Sequence, residues 1–204
     1  GGAELNRKLT KGGAFARSAR GELLDKSEKL RGIGAYWNSK YSGASVSTLI
    51  AHRTGTEMPV EYSYNVRIPS FLSPAGGYAA FPAFIVSSDY YREYGMMKSR
   101  VSPVRISSGW TSDTVVRFTI PRGWDIAVLP AAENRAHPGF SARFEYVRKG
   151  DSVFEARSSV VFVDSSISPE EYGVFRDFLI FIHRKENERI IIRKIEGPGG
   201  GDAR

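Results

Sequence analysis

The sequence predicts a mainly β protein, an antiparallel β-sandwich with an α-helix near each end. Three observations carry that reading. Val60, Tyr62, Tyr64, Val66 and Ile68 alternate with Glu61, Ser63, Asn65 and Arg67, the period of a strand with one buried face. Further short alternating runs follow, with turn residues about every 8–12 positions, as in two-sheet antiparallel folds. Near the C-terminal end the period changes. Tyr172, Phe175, Leu179 and Ile182 recur at helical spacing behind Ser168, Pro169 and Glu171. Ser168 suits an N-cap, Pro169 the first helical position, and Glu171 closes a capping box.

In chain order, residues 4–20 read as a hairpin, because two polar-apolar stretches flank Lys11-Gly12-Gly13 and paired glycines supply the positive φ of a tight turn. Residues 22–41 read as a helix through Leu23, Leu30, Tyr36 or Trp37, and Tyr41. Gly32 and Gly34 weaken it and Gly43 stops it. From Ala44 onward the pattern is β, and Pro69 ends the run that starts at Val60. A strand is expected around Phe81 to Val86, within a Pro-, Gly- and aromatic-rich segment. Val116, Phe118 and Ile120 form the next strand face. Trp124, Ile126 and Val128 form another, ended by Pro130. Ala142 to Tyr146 is expected to pair with Phe154 to Ser158 across Arg148-Lys149-Gly150-Asp151, the second strand running on to Phe162. A last strand spans Arg189 to Ile195. The organisation is an N-terminal hairpin and helix (1–43) packed on the main domain, a sandwich with C-terminal helix and strand (44–196), and a flexible Gly-rich tail (197–204).

Composition excludes several chemistries. There is no cysteine, so disulfides, thiolate metal sites and a cysteine nucleophile are ruled out. No apolar run approaches the roughly 20 residues of a membrane-spanning helix. The formal net charge is +7, but the cations are scattered and interleaved with carboxylates, as in Arg184, Lys185, Glu186 and Glu188. That reads as a paired surface and argues against a nucleic-acid track.

No catalytic, cofactor-binding or metal-binding residue is assigned. His52, His137 and His183 lack metal-ligand spacing. His52 is expected to share a half-buried strand face with Val46, Thr48 and Ile50, His137 to sit in a turn, and His183 to continue the Leu179 helix face. No Gly-x-Ser-x-Gly elbow or Ser-x-x-Lys spacing occurs, which leaves a hydrolase only if His52 or His137 meets distant partners in space. Glu170 and Glu171 are accounted for by capping. The best recognition candidates are Tyr90, Tyr91, Arg92, Tyr94 and Arg100, because Tyr and Arg join contact area to polar groups. The competing reading packs alternate rings into the core.

Several stretches, in order, resemble the C-terminal β domain of bacterial transglutaminase-like proteins. They are Ile167-Ser-Pro-Glu-Glu-Tyr-Gly-Val-Phe-Arg-Asp-Phe178, Glu188-Arg-Ile-Ile-Ile-Arg-Lys194, Arg100-Val-Ser-Pro-Val-Arg-Ile106, and the Pro-Arg-Gly then Leu-Pro strand pair of Phe118 to Pro130. The resemblance covers roughly residues 1–195. Such proteins carry an N-terminal β domain, a catalytic core with a Cys-His-Asp constellation, and this β domain. With no cysteine, none of those catalytic roles transfers here. The resemblance implies a non-catalytic accessory domain that positions or shields a transglutaminase-like core, in a periplasmic or cell-envelope location. Its partner would be that core in the same polypeptide, or an envelope protein. The alternative is a stand-alone module binding polysaccharide or another polyanion, resting on the net charge and the Tyr90–Tyr94 cluster.

Overall fold

The computed structural model describes residues 2–56, 59–72, 74–85, 87–106, 109–163 and 165–195. The elements in order are β1 (Ala3–Lys11), α1 (Ala14–Leu24), α2 (Lys26–Lys40), β2 (Ser45–Arg53), β3 (Val60–Ile68), β4 (Tyr78–Pro82), α3 (Tyr90–Tyr94), β5 (Val104–Ile106), β6 (Trp110–Thr119), β7 (Trp124–Val128), β8 (Glu133–His137), β9 (Phe140–Arg148), β10 (Val153–Phe162), β11 (Ser165–Ile167), α4 (Tyr172–Asn187) and β12 (Arg189–Lys194). The protein is mainly β, and every strand pair is antiparallel.

A seven-stranded sheet in the order β2-β3-β1-β6-β10-β9-β8 forms one layer. Strand alternation sends Leu5 and Leu9, Val116 and Phe118, Phe154 and Ala156, and Phe140 and Phe144 to its inner face, where all are buried. The covering layer is composite. It holds the three-stranded sheet β4-β12-β7 together with α1, α2 and α4. Phe81 of β4 meets Phe118 at 5.3 Å, and Phe178 of α4 meets Phe140 at 4.5 Å. Phe15 of α1 meets Trp110 at 4.3 Å. Tyr172, Phe175, Leu179 and Ile182 are all buried, so the helical stripe read from their spacing is the packed face of α4. The reciprocal bonds of the expected box form, the Ser168 amide donating to Glu171 Oε2 at 3.2 Å and the Glu171 amide to Ser168 Oγ at 3.3 Å. They lie on the turn before the helix: α4 starts at Tyr172 with Glu171 at its N-cap, so Ser168 is not the N-cap and Pro169 not the first helical residue.

The sheet's outer face is polar and faces solvent. Arg117 and Arg157 both fork onto Glu155, and Lys8 pairs with Glu61 at 2.7 Å. Arg143 pairs with Glu145. Alternation of charge across strands is the surface arrangement expected of a half-solvated antiparallel sheet.

Four further expectations are corrected. Residues 4–20 are not a hairpin. Residues 3–11 form a central strand, Asn6 to Lys11 pairing with Ser112 to Arg117, and helix α1 comes next. Gly13 makes the turn between them, at φ 57°, and a Cβ there would stand 1.8 Å from the Gly109 carbonyl oxygen. The predicted helix 22–41 is α1's end plus α2, divided at Asp25, whose side chain caps α2 by accepting from the Glu28 amide at 2.9 Å. The strand expected at Phe81–Val86 lies earlier, at Tyr78–Pro82; Val86 is outside the described residues, as is the 197–204 tail. Finally, the Phe118–Pro130 segment does not pair with itself. β6 belongs to the large sheet and β7 to the small one, and the chain changes layer at Pro121-Arg122-Gly123.

Candidate functional site

The five recognition candidates go to different places. Tyr90, the first residue of α3, is buried. Its ring lies 4.8 Å from Trp110 and 5.8 Å from Phe162, and its hydroxyl meets Ser112. Burial pushes that phenol well above its ordinary value. Tyr91 and Tyr94 are half-buried toward α4. Tyr91 lies 5.5 Å from the His183 ring, and Arg176 donates to its hydroxyl at 3.5 Å. Burial pushes the Tyr94 phenol up to about 12. Arg92 is exposed, and Arg100 places its guanidinium 5.3 Å over the Tyr172 ring. One ring enters the core and one packs on α4. Neighbouring positions on one helical turn point in different directions, so Tyr90 and Tyr91 part, and Tyr94, four residues from the one and three from the other, falls between them.

Past α3 the chain forms a fixed shelf on the start of α4. The Tyr172 hydroxyl donates to the carbonyls of Tyr94 (2.9 Å) and Met97 (3.0 Å), and Arg176 Nε donates to the Gly95 carbonyl at 3.1 Å. From this shelf apolar side chains stand in solvent. Met96 is 64% exposed, Met97 58% and Val101 99%; Val174 is exposed too, but at two residues from both Tyr172 and Arg176 it lies across α4 from the shelf. Apolar groups held outward by buried hydrogen bonds mark a contact surface better than apolar groups on a loose loop.

A second feature was hidden in the sequence. Beneath α1 and α3, the inner face of the large sheet opens into a cavity of about 380 Å³. Its floor is polar where the rest of that face is apolar. Ser112 and Thr114 of β6 lie beside Ser158 of β10, which pairs with Thr114. Arg7 and Lys11 point in from β1, on the same strand side as Leu5 and Leu9. Glu186 enters from the last turn of α4, Glu22 from α1 and Glu93 from α3; Phe15, Tyr62, Phe84 and Tyr90 form walls. Lys11 Nζ donates to Ser112 Oγ at 2.5 Å, and Arg7 Nη1 donates to the Tyr64 hydroxyl at 3.2 Å. Burial, with Arg7 adding to it, lowers the Lys11 ammonium to about 8. Burial raises the Glu186 carboxyl to about 7, against the opposing bonds from Ser88. Strand parity in residues 5–11 was the available signal, and the hairpin reading concealed it. The α4 stripe likewise continues past Ile182 to Lys185 and Glu186, both buried.

The remaining candidates stay apart. His52 is exposed. A bulge in β2, with Thr48 at φ 59°, separates inward Val46 from Ile50 opposite Ser63, so the expected common face does not exist. His52 Nε2 does lie 2.8 Å from Ser63 Oγ. Among the described residues no carboxylate bonds the other ring nitrogen. Ser63 sits in mid-strand with β3 paired on both sides, which leaves no backbone N–H pair to hold an oxyanion. His137 is the last residue of a strand, not a turn residue, and its ring stacks on Phe140 at 4.4 Å. His183 is exposed at the edge of the α4 face. Among the described residues no three His, Asp or Glu side chains cluster to hold a metal ion. No helix among them is long and apolar enough to cross a membrane.

Residues 77–192 match the model of a family described as a domain of unknown function with a solved structure, DUF3858. No curated protein and no solved structure matches the chain.

Proposed function

The chain belongs to the DUF3858 family, and from that premise we propose that it is a non-catalytic interaction domain that docks on a transglutaminase-like core. The core would lie in the same polypeptide or in an envelope protein, and the docking would position or shield it in the periplasm or cell envelope. The partner is named by the sequence resemblance described above. The observation that carries the docking is the shelf of Met96, Met97 and Val101, whose backbone the Tyr172 and Arg176 hydrogen bonds anchor at Tyr94, Gly95 and Met97. Tyr91, Arg92, Tyr94 and Arg100 lie on or beside it and supply the polar rim that such contacts carry. The absence of a cysteine and the separation of the three histidines support a role outside the chemistry.

The polyanion alternative has less to stand on. Arg117, Arg157 and Arg143 on the outer face each bind a carboxylate, as do Arg148 and Arg184 elsewhere, so these cations are already paired.

The first experiment is the intact mass of the native protein in its source cells, detected with an antibody to this domain. A species much larger than 22.6 kDa is expected. Hydrogen exchange then compares the shelf in that polypeptide and in the isolated chain. Protection of residues 94–101 and 172–176 in the longer species, lost on Val101→Glu, supports docking. Equal exchange in both rejects it. A native species of about the mass of this chain gives the lead to the stand-alone binding module, and retention on heparin that falls steeply with salt identifies it.

A further inference from the structure

We propose that the cavity beneath α1 and α3 binds a small organic acid that also carries a hydrogen-bond donor, an amino acid or a hydroxy acid, with its carboxylate on Lys11 and Arg7 and its donor on the free oxygen of Glu186.

The charges in the cavity are arranged for an outside partner. Lys11 and Arg7 have no carboxylate within ion-pair distance among the described residues. Each spends one donor on a hydroxyl, although an ammonium has three and a guanidinium five. Glu22, the nearest acidic wall residue on α1, is already held by Lys29 and by Ser18. Glu186 takes both of its bonds, from the Ser88 amide at 3.0 Å and the Ser88 hydroxyl at 3.1 Å, on the same oxygen, Oε2. Its Oε1 has no protein partner among the described residues. A purely structural use of these groups would bring a cation against Glu186, because burying charges unpaired costs far more than burying them paired. Instead the two cations line one cavity with Glu186, and with Glu93 of α3, and among the described residues neither carboxyl forms an ion pair with them.

The rest of the lining fits the same class of ligand. The floor hydroxyls of Ser112, Thr114 and Ser158 interrupt an otherwise apolar sheet face, and each both donates and accepts. Aromatic walls with a few convergent polar groups are the usual make-up of small-molecule sites, and a volume of about 380 Å³ lies in their range. The inference is independent of the shelf on α4.

The test uses the intact chain with two probes, L-glutamate for the amino acids and D-gluconate for the hydroxy acids, and glucose as the neutral control. At about 10 mM, one of the two acids is expected to raise Tm and to shift amide resonances of residues 7–11, 88–90 and 112–114, while glucose does neither. Lys11→Gln should weaken binding about tenfold or more. Should Lys11→Gln not fold, Thr114→Val on the cavity floor serves the same purpose with an expected loss of a few-fold. Glu186→Gln separates the sources: an ammonium loses its carboxylate and binds more weakly, whereas a hydroxyl still finds an accepting carbonyl. No response to either acid overturns the proposal. So does binding that survives both cavity substitutions, or that Arg143→Gln on the outer face weakens as much as Lys11→Gln.

Discussion

Replacing Glu186 by Gln removes one ionisable group and keeps its hydrogen bonds, because the amide oxygen can accept from the Ser88 amide and hydroxyl as the carboxylate does. Glu186 is 8% exposed. Burial raises it from 4.5 to about 7; the Ser88 bonds and Arg7 oppose the rise, and Asp89 adds to it. Tyr90 also faces it, uncharged in this range. Between these two values the folded protein holds a proton that the unfolded chain has released. Stability therefore falls as pH rises through this window, and the loss is complete above about 7. At about 1.36 kcal/mol per pKa unit, the change expected between about pH 5 and pH 8 is about 2.5 kcal/mol. The quantity to measure is the difference in unfolding free energy between wild type and E186Q, by urea titration at both pH values. Other groups cancel in that difference. The variant is expected to match wild type near pH 5 and to exceed it by about 2 to 3 kcal/mol near pH 8. A pH-independent difference would refute the reasoning, since it would mean that Glu186 titrates alike in both states.

Lys11→Met is expected to stabilise the fold by about 2 kcal/mol at neutral pH, after discounting for partial contact with water, because a buried ammonium lowered to about 8 is a cost that Met does not carry; a destabilised variant in urea titration counts against it. Gly13→Ala should cost about 3 kcal/mol or more, since the turn needs φ 57° and the methyl would meet the Gly109 carbonyl; wild-type Tm in the variant would show that the turn is not so constrained. Ser168→Ala should cost about 1 kcal/mol by removing half of the reciprocal box ahead of α4, with no change in the helix signal of the folded protein. Tyr172→Phe should cost about 1 to 2 kcal/mol and speed hydrogen exchange in residues 94–97, which lose their anchor; unchanged exchange there would show that Arg176 alone holds the shelf.

The strand over Val60–Ile68 and the stripe of α4 were legible because each element buries one side, and a buried side writes its period into the sequence. The pairing of residues 142–146 with 154–158 was legible because a short turn leaves no other partner. β1 was not, because Gly12-Gly13 marks a turn whether a strand or a helix comes after it. Its charged residues at 7 and 11 share parity with Leu5 and Leu9, so its inner face does not look buried. The cavity was illegible for the same reason: Arg7, Ser112, Ser158 and Glu186 come from four elements that only the sheet order brings together. Of the Tyr90–Arg100 candidates, the local density of aromatics was visible, but their directions depend on α4, which lies far along the chain.

The seam between β1 and β6 straddles the family's boundary. Residues 77–192 include β6, β10, β9 and β8, but β1, β2 and β3 come from before it. A protein trimmed to the matched stretch would therefore end its large sheet at β6, with the ladder positions that Asn6 to Lys11 now occupy facing water. A bare, half-apolar edge of that length invites pairing with another chain. The first strand is thus a built-in guard against self-association, and the unit that can be expressed safely is wider than the unit that can be recognised.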